Sequence, residues 1–222
     1  MDAPTLAGLI DHTLLDPLAS ASGVEQLCLE AVEWGIGHVC VSPTRVRQAA
    51  TVLAGTPVAV CSVVGFPSGA HLAEAKASEA GQACADGATE VDMVVSLGAV
   101  VDGDWAAVEA DVAAVVGAVE PGTAVKVILE TSALQPDQAR RAAEHAIAAG
   151  ASWVKTSTGY HPSGGATVEA VRLLHEVAAG RARVKASGGI RTLADATALV
   201  DAGAARLGTS RGVALLRELT GR

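Results

Sequence analysis

The feature that most constrains this chain is a repeated junction, in which a glycine ends an alanine-rich helical segment and a β-like run follows at once. Four clear copies lie at residues 34–38 (WGIGH), 86–90 (DGATE), 149–153 (AGASW) and 201–205 (DAGAA). Glycine suits the C-cap of a helix, where the backbone adopts a left-handed conformation. Its recurrence at this junction indicates a chain built from repeated βα units.

The β-like and helical segments together make eight such units. The candidate strands span 9–13, 38–42, 58–65, 90–96, 124–130, 152–158, 183–187 and 206–210. Eight units in 222 residues average about 28 residues each, close to the size of a compact βαβ step. We therefore expect an α/β fold in which residues 1–222 form a single domain, a (β/α)8 TIM barrel.

The competing architecture is an open, doubly wound sheet. That fold usually carries a glycine-rich nucleotide-binding loop after its first strand. Here the first strand is followed by residues 14–17 (LLDP), which contain no glycine. The barrel is therefore the favoured architecture.

Three local signals predict where helices begin. Ser22 and Glu25 have the spacing of a capping box. Pro136 suits the first turn of a helix. Thr192 precedes another helical segment and is expected to be its N-cap.

Composition and charge exclude several classes of function. The chain has three Trp, one Tyr and one Phe, and a net charge of −8. So few aromatic residues and so much negative charge argue against a nucleic-acid partner or an anionic membrane surface. The four cysteines, in apolar segments without a C-x-x-C pair, are expected to be reduced and buried. With no secretory signal and no apolar run of about 18 residues, a cytoplasmic location is expected.

Three lysines occupy matching positions in successive units. Lys126, Lys155 and Lys185 each follow a valine, at spacings of 29 (126 to 155) and 30 residues (155 to 185). Strand side chains alternate between the barrel interior and the helix layer, so an inward Lys155 places the other two lysines inside as well. The same parity places Asp92 inside, one strand earlier. A lysine that reaches into solvent from a strand end is the alternative for any one of them.

A cluster of buried amines has a chemical use. A free lysine has a pKa of about 10.4, so little of it is the nucleophilic amine at neutral pH. Burial and a second cation disfavour the ammonium form, and Lys185 beside Lys155 would lower the pKa of one of the pair. Such an amine can attack an aldehyde and form a Schiff base, with Asp92 as a proton shuttle.

Two loops suggest that the same pocket binds an anion. Residues 187–192 (SGGIRT) and 208–211 (GTSR) follow the seventh and eighth strands, where barrels commonly bind phosphate. Tight turns are the plainer interpretation of either loop alone. Arg191 and the nearby Gly159 favour the phosphate interpretation.

The six histidines give no sign of a metal site. No pair has a metal-ligand spacing such as H-E-x-x-H. We expect His145 and His175 on helix surfaces, and His12 near the barrel mouth without an identifiable partner. A metal-dependent mechanism is therefore disfavoured.

Seven segments of the chain match one known family. They are residues 9–13 (LIDHT), 39–43 (VCVSP), 64–69 (VGFPSG), 90–94 (EVDMV), 126–131 (KVILET), 154–159 (VKTSTG) and 185–191 (KASGGIR). Together they cover nearly the whole chain, which resembles the deoxyribose-phosphate aldolases.

The resemblance implies a (β/α)8 barrel and a class I, Schiff-base aldolase that uses neither a metal nor an organic cofactor. Its reaction would be the reversible cleavage of 2-deoxy-D-ribose 5-phosphate to D-glyceraldehyde 3-phosphate and acetaldehyde, a step of deoxyribose phosphate catabolism. On the family pattern Lys155 forms the Schiff base. Lys185 perturbs that amine and joins the proton relay, and Asp92 is the general acid/base.

The resemblance also implies the rest of the pocket. The substrate-binding residues would be Asp11, Cys40, Lys126 and Thr158. The phosphate-binding residues would be Gly159, Gly188, Gly189, Arg191, Gly208, Thr209 and Ser210. Barrels of this family are often dimers, so a homodimer is expected.

Two features depart from the family pattern. Some members have a flexible C-terminal tail with a terminal tyrosine, whereas residues 220–222 read TGR, so we expect any tail role to be absent or filled otherwise. Tyr160 and His161 replace a basic residue that some members carry after Gly159, which puts phosphate affinity in question.

Two other functions remain open at this point. One is a Schiff-base barrel aldolase for a different phosphorylated sugar. The other is a non-catalytic barrel that binds a phosphorylated metabolite, which would keep the glycine loops but has no need of Lys155.

Overall fold

A computed structural model describes residues 1–221, and Arg222, the last residue of the predicted domain, lies outside the described residues. Eight parallel strands close in sequence order into a barrel, which confirms the (β/α)8 TIM barrel. The strands are β1 (Ile10–Leu14), β2 (His38–Val41), β3 (Ala59–Val64), β4 (Glu90–Val94), β5 (Ala124–Ile128), β6 (Trp153–Lys155), β7 (Arg183–Ser187) and β8 (Arg206–Thr209). The barrel closes where Ile10 of β1 lies opposite Leu207 of β8.

Ten α-helices surround or flank the barrel in the described chain. They are α1 (Ala3–Leu9), α2 (Ala21–Trp34), α3 (Val46–Val52), α4 (Ala73–Ala85), α5 (Leu97–Asp102), α6 (Trp105–Gly117), α7 (Pro136–Ala148), α8 (Val168–Ala178), α9 (Leu193–Asp201) and α10 (Gly212–Thr220). Short 3₁₀ turns at Pro43–Arg45 and Thr131–Ala133 follow β2 and β5. Helix α1, which precedes the first strand, was not predicted.

All eight predicted strands are present, but several end earlier than predicted. Past β4, the Ser96 N–H donates to the Asp111 carboxylate at 2.9 Å. Past β6, the Thr158 N–H donates to the Glu130 carboxylate at 3.2 Å. These N–H groups bind side chains instead of a neighbouring strand, so the chain leaves the sheet at the carboxyl ends of the strands.

The predicted helix starts are correct in two of three cases. Pro136 begins α7, and Thr192 is the N-cap of α9, where its hydroxyl accepts from the Asp195 N–H. The capping box at Ser22 is wrong. The N-cap of α2 is Ser20, whose hydroxyl accepts from the Gly23 N–H at 3.1 Å.

The two faces of the sheet bury different chemistry. Outward-facing Val91, Val127, Val154 and Val184 lie in a continuous aliphatic core beneath the helices. The inward positions carry buried charged residues, described below. Among residues 1–221, every helix is too short or too polar to cross a membrane.

Candidate active site

The three lysines predicted to face inward do so, and they meet at one carboxylate. Lys155 on β6 lies opposite Lys185 on β7, and Lys126 on β5 lies opposite Asp92 on β4. Oδ1 of Asp92 accepts from Lys126 at 2.9 Å. Oδ2 accepts from Lys155 and from Lys185, each at 2.7 Å.

Asp92 is held as a carboxylate by these lysines. Burial by itself would raise its pKa. The charges of Lys126, Lys155 and Lys185 outweigh burial and hold the pKa of Asp92 well below its usual range. Asp92 is therefore ionised at neutral pH.

Lys185 is held as a cation. Burial opposes its charge, but the carboxylates of Asp11 and Asp92 overcome burial and raise its pKa well above the usual value. Lys126 behaves in the same way, with Asp92 as the main opposing charge. We expect one amine of the Lys155–Lys185 pair to have a lowered pKa. Lys185 is not that amine, because Asp11 of β1 provides it with a second carboxylate.

Of the three lysines, Lys155 alone lines a cavity at the carboxyl ends of the strands. The cavity measures about 470 Å³ and is bounded by the loops after β1, β6, β7 and β8. Lys155 is 3% exposed, whereas Lys126 and Lys185 are fully buried beneath it. An aldehyde in the cavity can therefore reach Lys155 but not the other two amines.

All seven predicted phosphate ligands line this cavity. They are Gly159, Gly188, Gly189, Arg191, Gly208, Thr209 and Ser210. Within residues 1–221, the N–H groups of Gly159, Gly188 and Gly189 donate to no protein oxygen. Free backbone donors beside an arginine suit an anion such as phosphate.

Glycine is required where these loops touch. Gly188 has φ +83°, and a Cβ there would lie 3.0 Å from Cα of Gly165 and 3.1 Å from Cα of Gly159. A side chain would therefore both strain the backbone and separate the loops. At Gly208, glycine leaves room for the Lys185 side chain, because a Cβ there would lie 3.1 Å from Cε of Lys185.

Two hydroxyls predicted to bind substrate already have protein partners. Thr158 lines the cavity, but its hydroxyl donates to the Glu130 carboxylate at 2.5 Å. The Thr209 hydroxyl donates to the Ile190 carbonyl at 3.0 Å and thereby joins the loops after β7 and β8. Both hydroxyls therefore brace the mouth of the barrel.

Asp11, Cys40 and Lys126, also predicted to bind substrate, lie in the barrel interior beneath the cavity rather than on its wall. Cys40 lies opposite Cys61 of β3, whose Sγ donates to Oδ1 of Asp92 at 3.1 Å. A hydrogen bond from Cys61 is the main cause that lowers the pKa of Cys40, while burial raises that of Cys61.

Sequence reasoning missed several residues of the site. Glu90, Arg206 and Cys61 face inward. Glu90 and Cys61 contact Lys126, and Arg206 contacts Glu90. A signal was present, because Glu90 lies two residues before Asp92, and Arg206 two before Gly208, so that each shares its strand's inward parity. Arg211, in the predicted phosphate loop, also lines the cavity.

One histidine prediction is wrong and two are confirmed in outline. His12 faces the helix layer instead of the mouth, and its Nε2 lies 2.9 Å from the Glu30 carboxylate of α2. His145 is half-buried on α7 and His175 is exposed on α8. Of the four free cysteines, Cys84 is only partly buried, against expectation.

Two groups of side chains lie close enough together to share an ion. They are Cys40, Cys61 and Asp92, and Asp11, Cys61 and Glu90. Their carboxylate oxygens are already engaged by Lys126, Lys185 and Arg206. A cation would therefore have to displace ammonium and guanidinium groups that are themselves buried.

The chain is similar to known aldolases along almost its whole length. A family model described as "DeoC/LacD family aldolase" matches residues 5–220. Deoxyribose-phosphate aldolase 1 of Cutibacterium acnes is 55% identical over 212 residues, which cover 96% of this chain and 97% of the relative.

Solved structures give the same result. A crystal structure of a putative deoxyribose-phosphate aldolase from Coccidioides immitis is 41% identical, with a TM-score of 0.96, over 99% of this chain and 87% of that one. The deoxyribose phosphate aldolase of Aeropyrum pernix, described as a unique tetrameric structure, is 36% identical, with a TM-score of 0.90, over 98% of this chain and 92% of that one.

Proposed function

The chain belongs to the DeoC/LacD aldolase family, and from that membership we propose that it cleaves 2-deoxy-D-ribose 5-phosphate reversibly to D-glyceraldehyde 3-phosphate and acetaldehyde. It is a deoxyribose-phosphate aldolase by family, and so a lyase. One observation carries the proposed site: Lys155 opens into the cavity whose far walls are the glycine loops after β7 and β8. A reactive amine and an anion site in one cavity fit a phosphorylated aldehyde.

Lys155 would begin the reaction. Its free amine attacks C1 of the open-chain sugar, and uptake of one proton with loss of water gives a protonated imine. The positive nitrogen then accepts the electron pair of the C2–C3 bond as that bond breaks. The products at this stage are D-glyceraldehyde 3-phosphate and an enamine of acetaldehyde on Lys155.

Asp92 and Lys185 would move the protons. Cleavage requires a base to remove the proton of the C3 hydroxyl, and the enamine then needs a proton at C2. Asp92 is the carboxylate nearest to the Lys155 amine, and Lys185 shares the same carboxylate oxygen. Water finally hydrolyses the imine, which releases acetaldehyde and returns Lys155.

The phosphate would lie against the backbone of Gly159, Gly188 and Gly189, with the Gly208–Ser210 segment and Arg191 completing the site. Thr158 is proposed to border the sugar. Asp11, Cys40 and Lys126 are proposed to shape the pocket from below. Arg211 lies on the cavity wall, where its positive charge would attract the phosphate in place of the basic residue that Tyr160 and His161 replace after Gly159.

We propose that residues 1–222 act as one aldolase domain, as a homodimer, in the cytoplasm. A phosphorylated substrate and four cysteine thiols suit a reducing compartment. A relative is described as a tetramer, so light scattering on the purified protein distinguishes a dimer from a larger assembly.

The test of this function is product formation from a matched panel of sugars. With 2-deoxyribose 5-phosphate we expect equal amounts of acetaldehyde and glyceraldehyde 3-phosphate. Unphosphorylated 2-deoxyribose tests the anion site, and ribose 5-phosphate tests the need for a C2 methylene. Cleavage of another phosphorylated sugar in preference would identify an aldolase of different substrate, and no cleavage of any sugar would contradict the proposal.

A further inference from the structure

The charged groups inside the barrel form a closed ring. Acidic and basic side chains alternate around it, in the order Asp92, Lys126, Glu90, Arg206, Asp11 and Lys185. Lys155 is attached to this ring at Asp92 but is not a member of it.

The first half of the ring runs from Asp92 to the floor of the barrel. Lys126 joins two carboxylates of the same strand, with its Nζ 2.9 Å from Oδ1 of Asp92 and 2.6 Å from Oε2 of Glu90. Glu90 Oε2 in turn lies 3.1 Å from Nη1 of Arg206. Arg206 is further fixed because its guanidinium lies 5.0 Å from the ring centre of Trp153.

The second half returns from the floor to Asp92. The same Nη1 of Arg206 donates to Oδ1 of Asp11 at 2.7 Å. Oδ2 of Asp11 accepts from Lys185. Lys185 then donates to Oδ2 of Asp92 at 2.7 Å, and this closes the ring.

The ring is electrically neutral without Lys155. Its three carboxylates match its two ammonium groups and one guanidinium group. Lys155 is therefore a fourth basic group in contact with a cluster whose other charges are already matched, so its reactivity depends on the charge that the ring carries.

We propose that Glu90 and Arg206 are positioning residues for the aldolase reaction, because they complete a balanced ring that leaves Lys155 as the unmatched amine and so set the pH at which that amine is free. Neither side chain lines the cavity, so each acts only through its charge on the ring. The inference rests on the proposed function, which makes Lys155 the reacting amine.

Other ionisable groups face the ring and are the same residues in the wild type and in every variant. His38 on β2 lies 3.8 Å from Asp11 and 3.6 Å from Glu90, and burial lowers its pKa, so it is neutral at pH 7. Cys40 and Cys61 contribute thiols from β2 and β3. Arg183 of β7 lies at the exposed end of its strand, 5.4 Å from Trp153.

The experiment measures how fast Lys155 is alkylated by acetaldehyde and cyanoborohydride between pH 5 and pH 10, by mass spectrometry of the full chain. The pH range is chosen as roughly that in which lysine amines of shifted pKa titrate. Acetaldehyde has no phosphate, so the profile is not distorted by titration of the substrate. The variants are Glu90→Gln, Arg206→Gln and the double variant.

The two single variants are expected to shift the profile in opposite directions. Glu90→Gln leaves the ring with an extra positive charge, so the free amine appears at a pH lower by about one unit. Arg206→Gln leaves an extra negative charge, so the amine appears at a pH higher by about one unit. The double variant is expected to return to the wild-type profile, because it removes one charge of each sign. If Arg206→Gln does not fold, the comparison of Glu90→Gln with the double variant still tests the charge of Arg206.

The matched controls are Glu176→Gln and Arg140→Gln, which neutralise an exposed ion pair of 3.1 Å between α8 and α7. They are expected to leave the profile unchanged. Absence of any adduct on wild-type Lys155 overturns the proposed function and this inference together. If wild-type Lys155 forms the adduct but neither single variant shifts its pH profile, or both shift it in the same direction, the proposed role of Glu90 and Arg206 alone is contradicted.

Discussion

Lysine–aspartate pairs are buried in two regions of residues 1–221, the helix layer and the barrel interior, and only the barrel interior is suited to catalysis. In the helix layer, Lys76 of α4 is fully buried and donates to Asp111 at 2.8 Å and to the Val94 carbonyl at 2.9 Å. In the barrel, Lys155 donates to Asp92 at 2.7 Å. By distance and burial alone the two pairs look alike.

They differ in what surrounds the pair. Lys76 has one carboxylate to itself, whereas Lys155 shares Asp92 with two further lysines. Lys76 does not line the cavity at the barrel mouth, whereas Lys155 opens into it. The comparison teaches that burial of a lysine is not a catalytic signal, and that an unmatched charge together with access to substrate is one.

The largest expected difference between the pairs is in activity. Lys155→Met is expected to lower kcat by about 10³-fold or more, because no other amine lines the cavity. Lys76→Met is expected to leave the activity of the folded protein within a few-fold of wild type. Steady-state kinetics on both variants, corrected for the folded fraction, checks this, and a comparable loss in both would erase the distinction.

The same two variants are expected to change stability in the opposite order. Lys76→Met leaves the buried Asp111 carboxylate without its lysine partner, which is expected to lower the free energy of unfolding by about 3–5 kcal/mol. Lys155→Met leaves Asp92 with its two other lysine partners, Lys126 and Lys185, so little stability is lost. Urea unfolding of both variants measures the difference.

Asp92→Asn and Asp111→Asn sharpen the comparison on the acidic side. Asp92→Asn is expected to reduce kcat by about 10²–10⁴-fold, because it removes the proposed general base. Asp111→Asn changes the helix layer, where its partner is Lys76 and the Ser96 N–H. We expect Asp111→Asn to lower the unfolding free energy with near-normal kcat, and a kcat loss equal to that of Asp92→Asn would contradict the account.

Lys185→Leu tests how a neighbouring cation acts on Lys155. Since the pKa of Lys185 is raised, it carries its charge throughout the neutral range and disfavours a second ammonium group beside it. Its removal is expected to reduce activity at neutral pH, with most of the rate regained at alkaline pH. A variant that stays inactive at every pH would show that Lys185 itself transfers a proton.

The smallest expected effect is on how thermal stability decreases at acid pH. The pKa values of Asp11 and Asp92 are lowered from 3.8 in the folded protein, after burial is outweighed by their cationic neighbours. Their contribution to stability is therefore complete above the unfolded pKa and is lost as pH falls further below it. From about pH 4 downward, the melting temperature should therefore fall less steeply with decreasing pH for Asp92→Asn than for wild type.

The barrel could be predicted because its cause is local and repeated. The glycine junction recurs four times along the chain and each unit carries a β-like segment, so eight strands could be predicted. The strand ends could not be predicted, because the N–H groups of Ser96 and Thr158 bind the carboxylates of Asp111 and Glu130, which come from other parts of the chain.

The site was predictable to the same extent. The parity of Lys126, Lys155, Lys185 and Asp92 follows from alternation along each strand, which is a local property. The pairing of Lys185 with Asp11 joins β7 to β1, with β8 between them, and connects residues far apart in the sequence, so it has no local signal. For that reason the raised pKa of Lys185 emerged only from the folded structure.

The most direct test of the account is to identify which lysine forms the imine. Wild-type protein is treated with acetaldehyde and borohydride, digested, and mapped by mass spectrometry. The account predicts a reduced two-carbon adduct on Lys155 and unmodified Lys76, Lys126 and Lys185. An adduct on Lys126 or Lys185 in place of Lys155 would contradict the assignment, and no adduct on any of the four would contradict the Schiff-base mechanism itself.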